Sequence, residues 1–356
     1  MNRARVLTRP APRPAGTLRP AADTRRAAWW VPGRAAVVLV ALLATVAGTA
    51  GCASSVDPLD KRSATSANAP EPPGMQDPAT VTGAGPVDKS CGDARRSLRP
   101  SGSLPQPGKM PSGSAMREIH DRGQLVVGVD QNTYLFGFRD PATGEISGFD
   151  ADIARQMAKA IFGDPDKIRF RAMTSAERIP AIQRGDVDLV VRTMTMNCER
   201  WRDVAFSTEY YTAGQRVLVP SDSAVDSIDD LAGKKVCAVA ETTSIAEVAR
   251  RKAKPVSVGN WTDCLVLLQQ NRVAAVSTDD AILAGLAAQD PSTKVVGDRF
   301  TGEPYGIAMS KESPELTRFV NGVLERMRTD GTWDKIYGHW LAPTLGDATA
   351  PKARYR

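Results

Sequence analysis

From residue 115 to residue 341, short apolar runs alternate with stretches whose apolar positions recur every three or four residues. The runs predict strands at 124–129, 167–173, 188–193 and 214–220. Helical periodicity predicts helices at 149–162, with Ile153, Met157, Ala160 and Ile161 on one face, and at 176–184. After a polar stretch the cycle restarts. Strands are predicted at 235–240, 255–258, 273–278, 294–296 and 305–310, and helices at 244–252, 262–271, 281–288, 314–328 and 332–341. Such alternation predicts an α/β fold with mostly parallel sheets, and the repeated cycle predicts two lobes of similar design. No glycine-rich phosphate loop opens any of these helices, so nucleotide binding has no motif behind it.

The N-terminal third reads differently. Eight arginines and one acid in residues 1–51 frame an uncharged run at 35–50, a pattern that signals export. The run is shorter than the ~20 apolar residues that a spanning helix needs. It ends on Gly51-Cys52 and resembles the bacterial lipobox, with Thr49 where that motif usually has Leu. The resemblance implies that Cys52 is acylated and becomes the new N-terminus, which anchors the chain on the extracytoplasmic face of the cell membrane. Residues 52–114 are expected to be a lipid-bearing tether. Ten of the 25 prolines fall in residues 53–114, and no aromatic residue occurs between Trp30 and Tyr134. Such a stretch buries too little apolar surface to offset its ordering entropy and reads as an extended spacer. Cys91 within it suggests that its second half is pinned to the body.

Charge follows the same division. The chain carries +6, but residues 1–51 alone carry +7 and the rest −1. The body is nearly neutral, which removes the basic face that a non-specific nucleic-acid binder requires. Of five cysteines, Cys91, Cys198, Cys237 and Cys264 remain beside Cys52, and an exported chain meets an oxidising compartment. Four cysteines allow three pairings, and their spacing does not choose among them. No CxxC pair or Cys/His cluster points to a metal, no cofactor is expected, and His120 and His339 are the only histidines.

Six segments, in order, resemble one family. They are Gly148-Phe149-Asp150-Ala151-Asp152-Ile153-Ala154; Gly185-Asp186-Val187-Asp188-Leu189-Val190 with Thr193-Met194-Thr195 and Glu199-Arg200; Phe206-Ser207-Thr208-Glu209-Tyr210-Tyr211; the segment 234–244; Tyr305-Gly306-Ile307-Ala308; and 321–333. Together they are similar to the bacterial extracytoplasmic solute-binding proteins for polar amino acids, family 3, most of all the actinobacterial glutamate-binding lipoproteins. The resemblance covers about residues 115–342. It implies a type II periplasmic-binding-protein fold, with two lobes, two hinge strands and ligand in the cleft between. The first lobe would hold 115–212 and 302–345, the second 213–301, with 346–356 a tail. It also implies disulfides Cys91–Cys198 and Cys237–Cys264.

A free amino acid carries a carboxylate and an ammonium on one carbon, and burying both requires a partner for each. Arg200 aligns with the family arginine that clamps the α-carboxylate, a task suited to a planar, always-charged fork. By its neighbours alone it would read as a surface ion-pair residue. Asp279 aligns with the amine-binding Asp; alone, it would read as a helix N-cap. Thr195 aligns with a hydroxyl that touches the α-carboxylate. Thr193 stands where many relatives have Gly and contribute a backbone carbonyl. Thr242, Thr243 and Ser244 open a helix whose N–H groups favour an anion, although capping explains them equally. Glu241 replaces the usual Gly. Arg178 resembles the second arginine of acidic-amino-acid binders, which meets the distal carboxylate. Tyr134 or Phe136 would cover the ligand's carbon chain, or belong to the core. The expected ligand is glutamate or aspartate ahead of glutamine or asparagine, because two cleft arginines face one Asp. The expected partners are an ABC permease or a membrane sensor protein, engaged by a monomer that is not an enzyme. The competing class is an enzyme on the same fold, like cyclohexadienyl dehydratase, which needs a placed general acid.

Overall fold

A computed structural model describes residues 70–356. The export signal, the lipidation at Cys52 and the first part of the tether lie outside the described residues. Two five-stranded sheets form the centres of two lobes. In the first, Ile168–Ala172, Leu125–Val129 and Leu189–Val190 run parallel, and Ala308–Met309 and Ala205–Phe206 complete it antiparallel. In the second, Lys254–Val258, Lys235–Val239 and Ala275–Asp279 run parallel, followed by Gln215–Pro220 and Thr293–Val296 antiparallel. Between the sheets, Tyr211–Ala213 pairs antiparallel with Glu303–Tyr305. These strands carry the chain from one lobe to the other and back.

Each lobe has its own core. The first centres on an aromatic cluster in which Phe149 lies edge-on to Phe136, Tyr211, Trp333 and Tyr337. The helix Phe149–Phe162 presents Ile153, Met157 and Ile161 to it, as the periodicity predicts. Gly148 caps that helix at φ 125°, where a Cβ would meet the Phe136 carbonyl oxygen at 2.2 Å, so no other residue fits. The second core is aliphatic, built on Val217, Val236, Val256, Leu267, Val276 and Leu283, and is crossed by the disulfide Cys237–Cys264.

Two predicted strands are shorter than their apolar runs. The run at 188–193 is strand only over Leu189–Val190, because Thr193 turns to φ 37° and leaves extended geometry. The run at 305–310 is divided between the hinge strand Glu303–Tyr305 and Ala308–Met309 of the first sheet. The chain crosses from hinge to sheet at Gly306, whose position a Cβ would bring to 2.7 Å from Met196.

The larger difference is the tether. Residues 70–114 are docked on the body instead of forming a free extended spacer. Gln76 bridges Ser257 on the edge strand of the second sheet, and Met75, Ala79 and Val81 pack on the second core. Further along, Trp201 Nε1 donates to the Ala94 carbonyl at 2.8 Å, and Ser97 Oγ donates to that of Phe206 at 2.6 Å. The disulfide Cys91–Cys198 fastens this strap covalently to the first lobe. The C-terminal residues are no loose tail either: Arg354–Tyr355 pairs parallel with Arg96–Ser97. Few but well-spaced apolar side chains and an unpaired sheet edge give these segments enough contacts to order them. The proline count alone hides this.

Candidate functional site

The first lobe supplies a loop from Thr193 to Arg200. Asp150, buried at the start of its helix, accepts from Thr193 N at 2.9 Å and from Tyr210 Oη at 2.8 Å. Burial raises its pKa to about 6, against the lowering effect of both bonds. The bond to Thr193 N holds a β-branched residue in the left-handed region, which is costly. Two residues on, Thr195 is 5% exposed. Asn197 caps the short helix Cys198–Trp201 by accepting from Arg200 N at 2.8 Å. The Arg200 guanidinium is buried, and Nη1 donates to the Thr195 carbonyl at 2.8 Å. Burial pushes its pKa down, and the nearby carboxylates Glu303 and Asp279 oppose that shift.

From the second lobe comes Asp279, at the end of the strand Ala275–Asp279. It is 3% exposed. Oδ2 accepts from Tyr305 Oη at 2.6 Å, and Oδ1 has no partner among the described residues. Burial and the charge of Glu303 raise its pKa well above the carboxylate range. It occupies the N-cap position of the helix Asp280–Gln289 but makes no capping bond with its side chain. Its neighbour Asp280 instead accepts from Gly214 N and pairs with Arg299 at 2.5 Å.

The trio at the next helix divides by role. Thr242 is the cap of Thr243–Arg250: Oγ1 accepts from Ile245 N at 3.2 Å. Ser244 turns into the lobe, with Oγ 3.0 Å from Thr278 Oγ1. Thr243 faces the opposite lobe and donates to Glu303 Oε2 at 3.0 Å. Glu241 has φ 57°, so it and Thr193, the two positions where the resemblance implies Gly, both have positive φ here. The Glu241 carboxylate accepts from Thr82 Oγ1 of the strap at 3.2 Å.

Arg178 begins the helix Arg178–Gln183 and is 3% exposed. Its Nε donates to the Ser175 carbonyl at 3.0 Å and Nη1 to that of Arg192 at 3.4 Å, and no carboxylate among the described residues pairs with it. Burial, Arg200 and Arg192 all disfavour its charge. Arg192, which sequence reasoning passed over, forms a buried ion pair with Asp130 at 2.7 Å and donates to the Met173 carbonyl at 2.8 Å. That pair braces the floor under Arg178. The other omission is Glu303 on the hinge strand, 4% exposed. It lies two residues before the Tyr305 motif, and an acid so close to a hinge was the available signal.

Arg178, Thr195, Arg200, Thr242, Thr243 and Glu303 line one cavity of about 1150 Å³. The strap residues Thr82 to Arg95 form part of its mouth, and Arg250 Nη1 donates to the Gly83 carbonyl there at 2.8 Å. Aliphatic cover comes from Ile179, Pro180, Met194 and Met196. The aromatic candidates do not provide it. Phe136 is fully buried against Phe149, Tyr211 and Tyr305, and Tyr134 is 38% exposed and lies edge-on to Phe138, outside the lining. Phe136 directly precedes the short strand Gly137–Arg139 and joins the aromatic core of the first lobe.

Two α/β lobes joined by paired strands, with guanidinium groups and carboxylates brought together between them, define a two-lobed solute-binding protein of the type II periplasmic-binding fold. The chain belongs to the bacterial extracellular solute-binding proteins, family 3, whose profile matches residues 125–343. It is similar to the ABC transporter glutamine-binding protein GlnH of Bacillus subtilis (strain 168), at 41% identity over 67% of this chain and 89% of that one. The glutamate-binding protein GluB of Corynebacterium glutamicum is 31% identical, over 67% of this chain and 84% of its own. Among solved structures, the solute receptor for L-cysteine of Neisseria gonorrhoeae aligns with a TM-score of 0.63 at 27% identity, covering 67% of this chain and 98% of that one. The fold therefore serves side chains of different chemistry, and the ligand must be argued from the cleft.

Proposed function

We propose that the protein binds a free amino acid with an acidic or polar side chain, glutamate or aspartate ahead of glutamine or asparagine. It would hand that ligand to an ABC permease or a membrane signalling partner without changing it. The division into lobes is 115–212 with 302–345, and 213–301, and closure about the hinge strands is the signal the partner reads. Anchoring through Cys52 would keep the monomer at the extracytoplasmic face. The observation that carries the reading is Asp279: a buried carboxylate with an oxygen unpartnered among the described residues, outside the lining of the cavity yet near enough to the buried guanidinium of Arg200 for each charge to act on the other. An α-ammonium and an α-carboxylate would complete these two sites. Thr195 and Thr243 would add hydroxyl donors to the carboxylate, with the Thr193 backbone and the Thr242–Ser244 helix start behind them.

Glu303 changes the charge argument. Its buried carboxylate adds to that of Asp279, so a count of Arg178 and Arg200 against Asp279 alone no longer favours an acid. What supports the acid is Arg178, a buried cation whose hydrogen-bond partners among the described residues are carbonyls and which no carboxylate there pairs directly. A side-chain carboxylate would compensate it, and an amide oxygen would do so more weakly. A thermal-shift screen of the twenty amino acids tests the reading, because a ligand that binds only the native state raises stability with concentration. Glutamate and aspartate should give the largest shifts, and they should be recovered unchanged after incubation. Product formation would favour an enzyme.

A further inference from the structure

Glu303 sits on the hinge strand with both oxygens engaged. Oε2 accepts from Thr195 Oγ1 at 2.6 Å and from Thr243 Oγ1 at 3.0 Å, while Oε1 accepts from Thr301 Oγ1 at 2.8 Å. Thr195 belongs to the first lobe and Thr243 to the second, so one carboxylate spans the cleft. It is also the foremost of the negative charges acting on Arg200. These are the groups that the proposed function gives to the ligand's carboxylate. A hydroxyl has a single proton to donate. For a ligand carboxylate to receive it from Thr195 or Thr243, Glu303 must release it.

We propose that Glu303 is a resident stand-in for the ligand's carboxylate, which holds the anion-binding hydroxyls of both lobes in the empty cleft and yields them when the amino acid enters. Glu303 thereby sets affinity by competition: part of what the ligand gains from the hydroxyls and Arg200 is offset by displacing a carboxylate already there. The inference rests on the assignment of Arg200, Thr195 and Thr243 to the ligand.

The test is calorimetric titration of ligand-free full mature protein with L-glutamate, using Glu303→Gln, Glu303→Ala and, separately, Arg200→Ala. Gln keeps the shape and one acceptor oxygen but removes the charge, which guards against loss of fold in the Ala variant. Tightening of Kd by fivefold or more in Glu303→Gln, with cooperative unfolding retained, is the expected result. An unchanged or weaker Kd in that folded variant overturns the inference, and weakening would mark Glu303 as a ligand contact instead. Arg200→Ala separates the two claims. If it abolishes binding while Glu303→Gln fails to tighten, the stand-in role alone is wrong. If it leaves binding intact, the underlying site assignment is wrong.

Discussion

Tyr305 Oη donates to Asp279 Oδ2 at 2.6 Å and leaves the buried Oδ1 without a partner among the described residues. A site poised for a cation costs stability while it is empty. Asp279 has a raised pKa, through burial and through Glu303. A carboxyl raised in the folded state binds its proton more tightly there than in the unfolded chain. Its contribution to stability is therefore lost as pH rises from the unfolded value, about 3.9, through the raised one. Asp279→Asn removes that loss. The ligand-free variant should equal the parent near pH 4 and exceed it increasingly toward neutrality in urea unfolding, while its amino-acid affinity falls by about 100-fold or more. A stability difference that shrinks with rising pH would contradict this.

The positive-φ residues Thr193 and Glu241 give a second prediction. Thr193 at 37° and Glu241 at 57° each carry a left-handed penalty of about 1–2 kcal/mol. Thr193→Gly should relieve more strain than Glu241→Gly, because Thr is β-branched and because Glu241 would also lose its bond to Thr82. After the entropy that Gly restores to the unfolded chain, a net gain of about 1 kcal/mol is expected for Thr193→Gly and none for Glu241→Gly. Denaturant midpoints compare them directly.

Much of this was legible beforehand, and where it was not the reason is physical. Periodicity located the helix Phe149–Phe162 and the long helix Pro314–Thr329 because each lays one apolar face on a core. It ran past the ends of Leu189–Val190, because a backbone turn at Thr193 is invisible to a hydrophobic count. Arg200, Thr195 and Thr243 became candidates through motifs, and the structure places all three on one cavity. Phe136 was left open between cleft and core, because an aromatic near a site and an aromatic under it look alike in sequence, and it is fully buried in the core. Glu303 and the Arg192–Asp130 pair escaped because the partners that matter most, Thr195 for Glu303 and Asp130 for Arg192, lie more than fifty residues away.

The strap is a structural element, and its covalent anchor should show it. Cys91–Cys198 closes a separation of 107 residues. Removing such a link typically costs about 2–5 kcal/mol. Cys91→Ser with Cys198→Ser should lower Tm by about 5–15 °C, at roughly 2–4 °C per kcal/mol for a domain of this size. A change within 1 °C would show that the strap is held by its other contacts alone.

Arg178 should govern the side chain more than the backbone of the ligand. Arg178→Ala is expected to weaken glutamate about tenfold or more and glutamine less, shrinking the ratio between them. Equal losses for the two ligands would assign Arg178 to structure, through its bonds to the Ser175 and Arg192 carbonyls.

The central claim is that a buried arginine and a half-satisfied aspartate bind the two charges of a free amino acid. Isothermal titration of the ligand-free protein with L-glutamate, beside its Arg200→Ala variant, tests it most directly. One site per chain is predicted in the parent, with affinity lost by at least about 100-fold in a variant that still unfolds cooperatively. Retained affinity in Arg200→Ala, or no heat from glutamate, aspartate, glutamine or asparagine in the parent, would contradict it.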